Sequence, residues 1–137
     1  MKILFDTNVI LDILLDRLPF SEQAAWLASK VEAGEISGYL CATTITTIHY
    51  LASKSIGTKA AQQAVASLLN LFEIAPVTRA VLDDALHANF SDFEDAVLYQ
   101  AAVHAGADGI VTRNQQDFNK ATIAIYSPTE LVNIVMH

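Results

Sequence analysis

KILFDTNVILDILL, residues 2–15, decides the fold. It opens with a short apolar run, Lys2 to Phe5, of the kind found in a parallel strand buried on both faces. It continues as a helix from Thr7 to Leu15. Between them stands Asp6, and an unpaired carboxylate against so apolar a segment costs several kcal/mol or takes up a proton. Two roles offset that cost: Asp6 can cap the following helix, or it can hold a ligand, and its two oxygens allow both. Asn8 can hold the same carboxylate or stand as an ordinary first-turn residue.

Outward from this block, strand-like and helix-like runs alternate. After the loop Asp16 to Phe20, Ser21 is expected to cap a helix carrying Ala24, Leu27, Ala28 and Val31, stopped by Gly34. Gly38 to Cys41 reads as a strand, Thr43 to Lys54 and Thr58 to Leu71 as helices, Glu73 to Val77 as a strand and Thr78 to Ala88 as a helix. In SDFEDAVLYQAAVHAGADGIVT, residues 91–112, Ser91 and Glu94 are spaced as a capping box, Gly106 stops the helix and a strand runs to Thr112. A last strand, Ile123 to Tyr126, leads through Ser127, Pro128 and Glu130 into an apolar helix, Leu131 to Met136. Alternation of this kind predicts a three-layer α/β/α sandwich with a mainly parallel central sheet of about five short strands. Ligands of such sheets bind beyond the carboxyl ends of the strands, where Asp6 falls.

Bulk properties fit one domain over residues 1–137, without repeats or linkers. Hydrophobic residues make up 53% and charged residues 17%, with no apolar run long enough to span a membrane and no signal-peptide pattern, so a cytoplasmic protein is expected. Cys41 is alone, which excludes an internal disulfide or a cysteine zinc site. The net charge of −7 gives no general attraction to nucleic acid, unless the acids cluster where a cation binds. His49, His87, His104 and His137 lack ligand-type spacing, and no phosphate-loop or serine-hydrolase motif occurs.

Among the acids, Asp95 opens a helix, AVLYQAAV, that is apolar almost all round, so its carboxylate is held in a crevice. The helix dipole gives back only about 0.3–1 kcal/mol, too little to explain burying a charge. Asp117 follows a strand end in VTRNQQDF, on the same rim as Asp6, where a solvated loop residue is the plain alternative. Asp92 and Glu94 have structural explanations at the helix start, and Asp12, Asp16, Glu22, Glu32, Glu35, Asp83 and Asp84 are expected to be solvated. Three carboxylates on one rim would suit a hard divalent cation.

Two blocks, ILFDTNVILDILL and SDFEDAVLYQAAVHAGADGIVTRNQQDF, in this order and at this separation, resemble the PIN-domain family, in particular its small prokaryotic branch of VapC-like toxins. The resemblance implies a Mg²⁺- or Mn²⁺-dependent endoribonuclease, with RNA as substrate, a cognate antitoxin as possible partner and a homodimer as assembly. It implies Asp6, Asp95 and Asp117 as catalytic metal ligands, with Asn8, Thr112 and Asn114 lining the site. One departure is visible: Thr47, in CATTITTIHYLASK, stands where the family usually has an acid. That leaves a weakened or non-catalytic PIN module, binding RNA or protein, as the alternative function. FDTNVIL also faintly resembles the nucleophile loop of haloacid-dehalogenase-like phosphatases, but Asn8 replaces the second aspartate, and an amide cannot serve as general acid.

Overall fold

The computed structural model describes residues 1–137. Five strands, β1 (Lys2–Phe5), β2 (Ser37–Cys41), β3 (Glu73–Ala75), β4 (Gly109–Val111) and β5 (Ala124–Tyr126), form one sheet in the order β3-β2-β1-β4-β5. Every neighbouring pair is parallel. The helices are α1 (Thr7–Leu14), α2 (Ser21–Glu32), α3 (Ala42–Ile56), α4 (Thr58–Leu71), α5 (Arg79–Leu86), α6 (Phe93–His104) and α7 (Pro128–Met136). A single turn of 3-10 helix, Gln115–Phe118, follows β4.

The pleat of β1 sorts its side chains into two cores. Ile3 and Phe5 point to a layer built with Val9, Ile10, Leu27, Ile48, Leu68 and Leu131, from α1, α2, α3, α4 and α7. Leu4 points the other way, to Val81 and Ala85 of α5 and the small apolar residues of α6. The expected three layers are therefore present, and Ile3, Leu4 and Phe5 of β1 are fully buried between them. Close approach on the first face requires glycine at two places. A Cβ on Gly38 would lie 2.8 Å from the Phe72 ring and from Val31, and one on Gly109 would lie 2.8 Å from Tyr126 and 2.9 Å from the Ala124 carbonyl.

Strand order reverses between β1 and β4: the chain builds β1, β2 and β3 in one direction, then returns to the other side of β1. Such a break leaves a crevice at the carboxyl ends of the two central strands. Asp6 follows β1 directly, and its backbone N–H donates to the Val111 carbonyl at the end of β4, 3.0 Å away.

Three expectations are corrected by the structure. Asp92, not Ser91, caps α6, its carboxylate accepting from the Asp95 N–H at 3.0 Å, so no Ser91–Glu94 capping box forms. Ser21 is the first residue of α2 rather than its cap, and Phe20 precedes it with no side-chain cap. Asp12 is not solvated. It is 1% exposed and forms ion pairs with Arg17 and Arg113, because its position on α1 faces inward, where only paired charge is tolerated. The Ser127–Glu130 capping box of α7 forms as expected and holds the Glu130 carboxyl below the usual range, chiefly through the Ser127 N–H.

Candidate active site

A cleft of about 320 Å³ opens at the crevice, lined by Asp6, Asn8, Thr47, Asp95, Asn114 and Asp117 together with Thr7, Leu11, Arg17, Thr43, Thr44, Glu94, Leu98 and Arg113. Six of the seven residues singled out from sequence thus face one space. The seventh, Thr112, is fully buried and supports the site from beneath instead of lining it.

Asp6 both caps a helix and presents a carboxylate. Its Oδ1 accepts from the Thr7 N–H at 2.7 Å, and its Oδ2 accepts from Thr112 Oγ1 at 2.8 Å and Asn8 Nδ2 at 3.3 Å. Asn8 is held in turn by the Arg113 N–H, which donates to its Oδ1 at 3.4 Å, and Thr112 Oγ1 accepts from the Asn114 N–H at 3.0 Å. The short strands therefore end in a set of polar contacts that fixes Asp6 in one orientation. Burial raises the Asp6 pKa, the bonds from Thr112 and Thr7 oppose that, and the charge of Asp117 adds to it.

Asp95 projects from the first turn of α6, placed by the Asp92 cap and by the buried residues Ala96, Val97, Leu98 and Tyr99 that anchor the helix. Its pKa is raised to about 7, first by burial, then by the negative charges of Asp92, Asp6, Asp117 and Glu94. Asp117 stands in the 3-10 turn, its N–H donating to the Asn114 carbonyl at 3.0 Å. Carboxylates from three separate elements therefore feel one another across the cleft.

Glu94 is the residue that the sequence hides. Read as a capping partner, it is left free of that task by Asp92 and lines the cleft with Thr43, Thr44 and Thr47 of α3. Its position one residue before Asp95 was the available signal. Arg17 and Arg113 were also missed, because nothing in their local sequence announces that both reach this wall.

The lining side-chain atoms able to ligate a metal are all oxygens, of Asp, Glu, Asn and Thr, the ligand type of hard divalent cations. No three acidic, histidine or cysteine side chains close into a cage, and an ion of the Mg²⁺ type needs only one or two carboxylates beside its own waters. The donor set therefore fits such an ion.

A parallel sheet whose strand order reverses between β1 and β4, with acids gathered at the reversal, defines the class: an α/β protein with an acidic cleft at its topological switch point. A family model of the PIN domain matches residues 2–116, and the chain belongs to that family. It is similar to ribonuclease VapC1 of Aquifex aeolicus (strain VF5), 27% identical over 134 residues, which cover 94% of this chain and 92% of that protein. Among solved structures, a chain of FitAB bound to the IR36 DNA fragment superposes with a TM-score of 0.71 and 25% identity, covering 92% of this chain and 94% of the other. A chain of a toxin–antitoxin complex from Klebsiella pneumoniae shares the fold, with a TM-score of 0.68 and 20% identity over 91% of this chain and 96% of that one. No helix is long and apolar enough to cross a membrane.

Proposed function

We propose that this chain is a divalent-metal-dependent endoribonuclease that hydrolyses RNA phosphodiester bonds in the cytoplasm, as the toxin of a toxin–antitoxin pair. The observation that carries the reading is the meeting of Asp6, Asp95 and Asp117, from three separate elements, in one cleft of a PIN domain. Likeness to ribonuclease VapC1 supports the activity. The antitoxin and a homodimer stand on the sequence resemblance to VapC-like toxins.

In this reading one or two of the carboxylates of Asp6, Asp95 and Asp117 would hold Mg²⁺ or Mn²⁺ directly, and the rest would reach it through its waters. When bound, the ion lowers the pKa of water and polarises the phosphoryl oxygen. The protein's own part is positional. Thr112, Asn8 and the Thr7 N–H hold Asp6 in a single orientation, so the carboxylate is preorganised. Burial first, then the negative charges of Asp92, Asp6, Asp117 and Glu94, raise the Asp95 pKa to about 7, and a cation in the cleft would favour its ionised form. Glu94 supplies a further carboxylate to a cleft in which Thr47 has only a hydroxyl.

The test is cleavage of total tRNA by the purified protein with Mg²⁺, with Mn²⁺ and with chelator, beside Asp6→Asn. Metal-dependent cleavage that disappears in Asp6→Asn is expected. A second reading, a retired nuclease that only binds, is favoured by Thr47 alone, and metal binding without cleavage would select it.

A further inference from the structure

We propose that Arg17 and Arg113, pinned by the buried Asp12, form a subsite for a backbone phosphate of RNA beside the acidic cleft, an inference that rests on the ribonuclease reading above. Asp12 Oδ1 accepts from Arg17 Nε at 2.9 Å and from Arg113 Nη2 at 3.2 Å, and Asp12 Oδ2 accepts from Arg113 Nε at 2.7 Å. Arg17 Nη2 also donates to the Asn8 carbonyl at 3.3 Å, which ties the pair to the residue that holds Asp6. One carboxylate faces two guanidinium groups, so the cluster keeps one net positive charge.

A purely structural ion pair would turn its charges inward, yet the two arginines remain 39% and 25% exposed and both line the cleft. Each engages two of its three nitrogens in the bonds above, leaving Nη1 with two N–H donors for a phosphate oxygen. The chain has only 8 lysines and arginines against 15 acids, and two of those eight meet at the wall of its most acidic hollow. Net charge repels RNA here, so a local positive anchor supplies what the whole molecule does not.

The Arg113 guanidinium stacks on the Phe20 ring, 4.0 Å from its centroid, and forms the shared wall between the acidic cleft and a second hollow lined by Pro19, Phe20, Ser127 and Thr129. With the scissile phosphate at the acids, an adjacent phosphate lies over the arginines and its nucleoside enters the second hollow.

Arg17→Gln is the principal variant, because Asp12 keeps Arg113 as partner and the fold is retained; Arg17→Lys is the conservative control. Binding of a labelled single-stranded RNA of mixed sequence is followed by fluorescence anisotropy over a salt series, and cleavage of total tRNA with Mn²⁺ gives KM and kcat. Arg17→Gln is expected to weaken binding and raise KM roughly ten- to hundredfold with little change in kcat, as for loss of a charge-assisted hydrogen bond. The slope of log K against log salt should fall by about 0.7, the value for one phosphate contact on a single strand, and Arg17→Lys should restore it. Wild-type affinity, slope and KM in both Arg17→Gln and Arg113→Gln, while the wild type still cleaves, would overturn the subsite and leave the ribonuclease standing. Absence of both RNA binding and cleavage in the wild type would remove both.

Discussion

Asp95 and Asp6 are costly residues, and the cost can be measured. With chelator present, a carboxyl whose folded-state pKa is raised from 3.8 to about 7 favours folding at low pH, where both folded and unfolded forms hold the proton. As pH rises through this range the unfolded chain releases the proton first, and the contribution is lost by the time the folded pKa is passed. Urea midpoints of the wild type and Asp95→Asn should therefore diverge, the wild type losing stability relative to the variant between pH 3.8 and about 7. A difference that does not change with pH would show that Asp95 is well solvated. Asp6 carries a similar penalty from burial, partly relieved by Thr112 and Thr7, so its neighbours bear on its charge as well as its orientation.

At the scale of elements, α6 and not α3 supplies charge to the cleft. The cleft-lining residues of α3 are Thr43, Thr44 and Thr47, all uncharged, whereas the first turn of α6 brings Glu94 and Asp95 together. Glu94→Gln should lower metal affinity and cleavage by roughly 10- to 100-fold, the range for residues that support metal ligands. Thr47→Glu should recover part of that loss in the double variant. Equal activity of Glu94→Gln and wild type would return Glu94 to a surface role. Much of this was legible in the sequence. Buried strands announced themselves as apolar runs, α7 through Ser127 and Glu130, and the rim through the acids that follow β1 and β4. What escaped was set by contacts distant in sequence or by a shift of a single position. Asp12 looks like a polar interruption of an apolar helix, since its partner Arg113 lies 101 residues away. Ser91 and Asp92 are both good caps, and only backbone geometry selects the second, which in turn frees Glu94.

Across the whole molecule, a charge of −7 coexists with a cleft that gathers four of the 15 acids. Cation binding should therefore relieve repulsion in the folded state alone. Mn²⁺ or Mg²⁺ at about a hundredfold above Kd should stabilise the protein by about 2.7 kcal/mol relative to chelator, read as a rise in Tm. Asp6→Asn should abolish most of that rise while retaining the fold, because Asn keeps one oxygen to accept from the Thr7 N–H. A Tm indifferent to divalent ions would argue against a metal in this cleft.

The return of β4 to the side of β1 has a further meaning during synthesis. Asp6 is made 106 residues before Thr112, which orients it. An unfinished copy thus carries its leading acid with neither the hydroxyl that steers it nor the helix that faces it. The cleft takes shape only once the strands on both sides of β1 have been made.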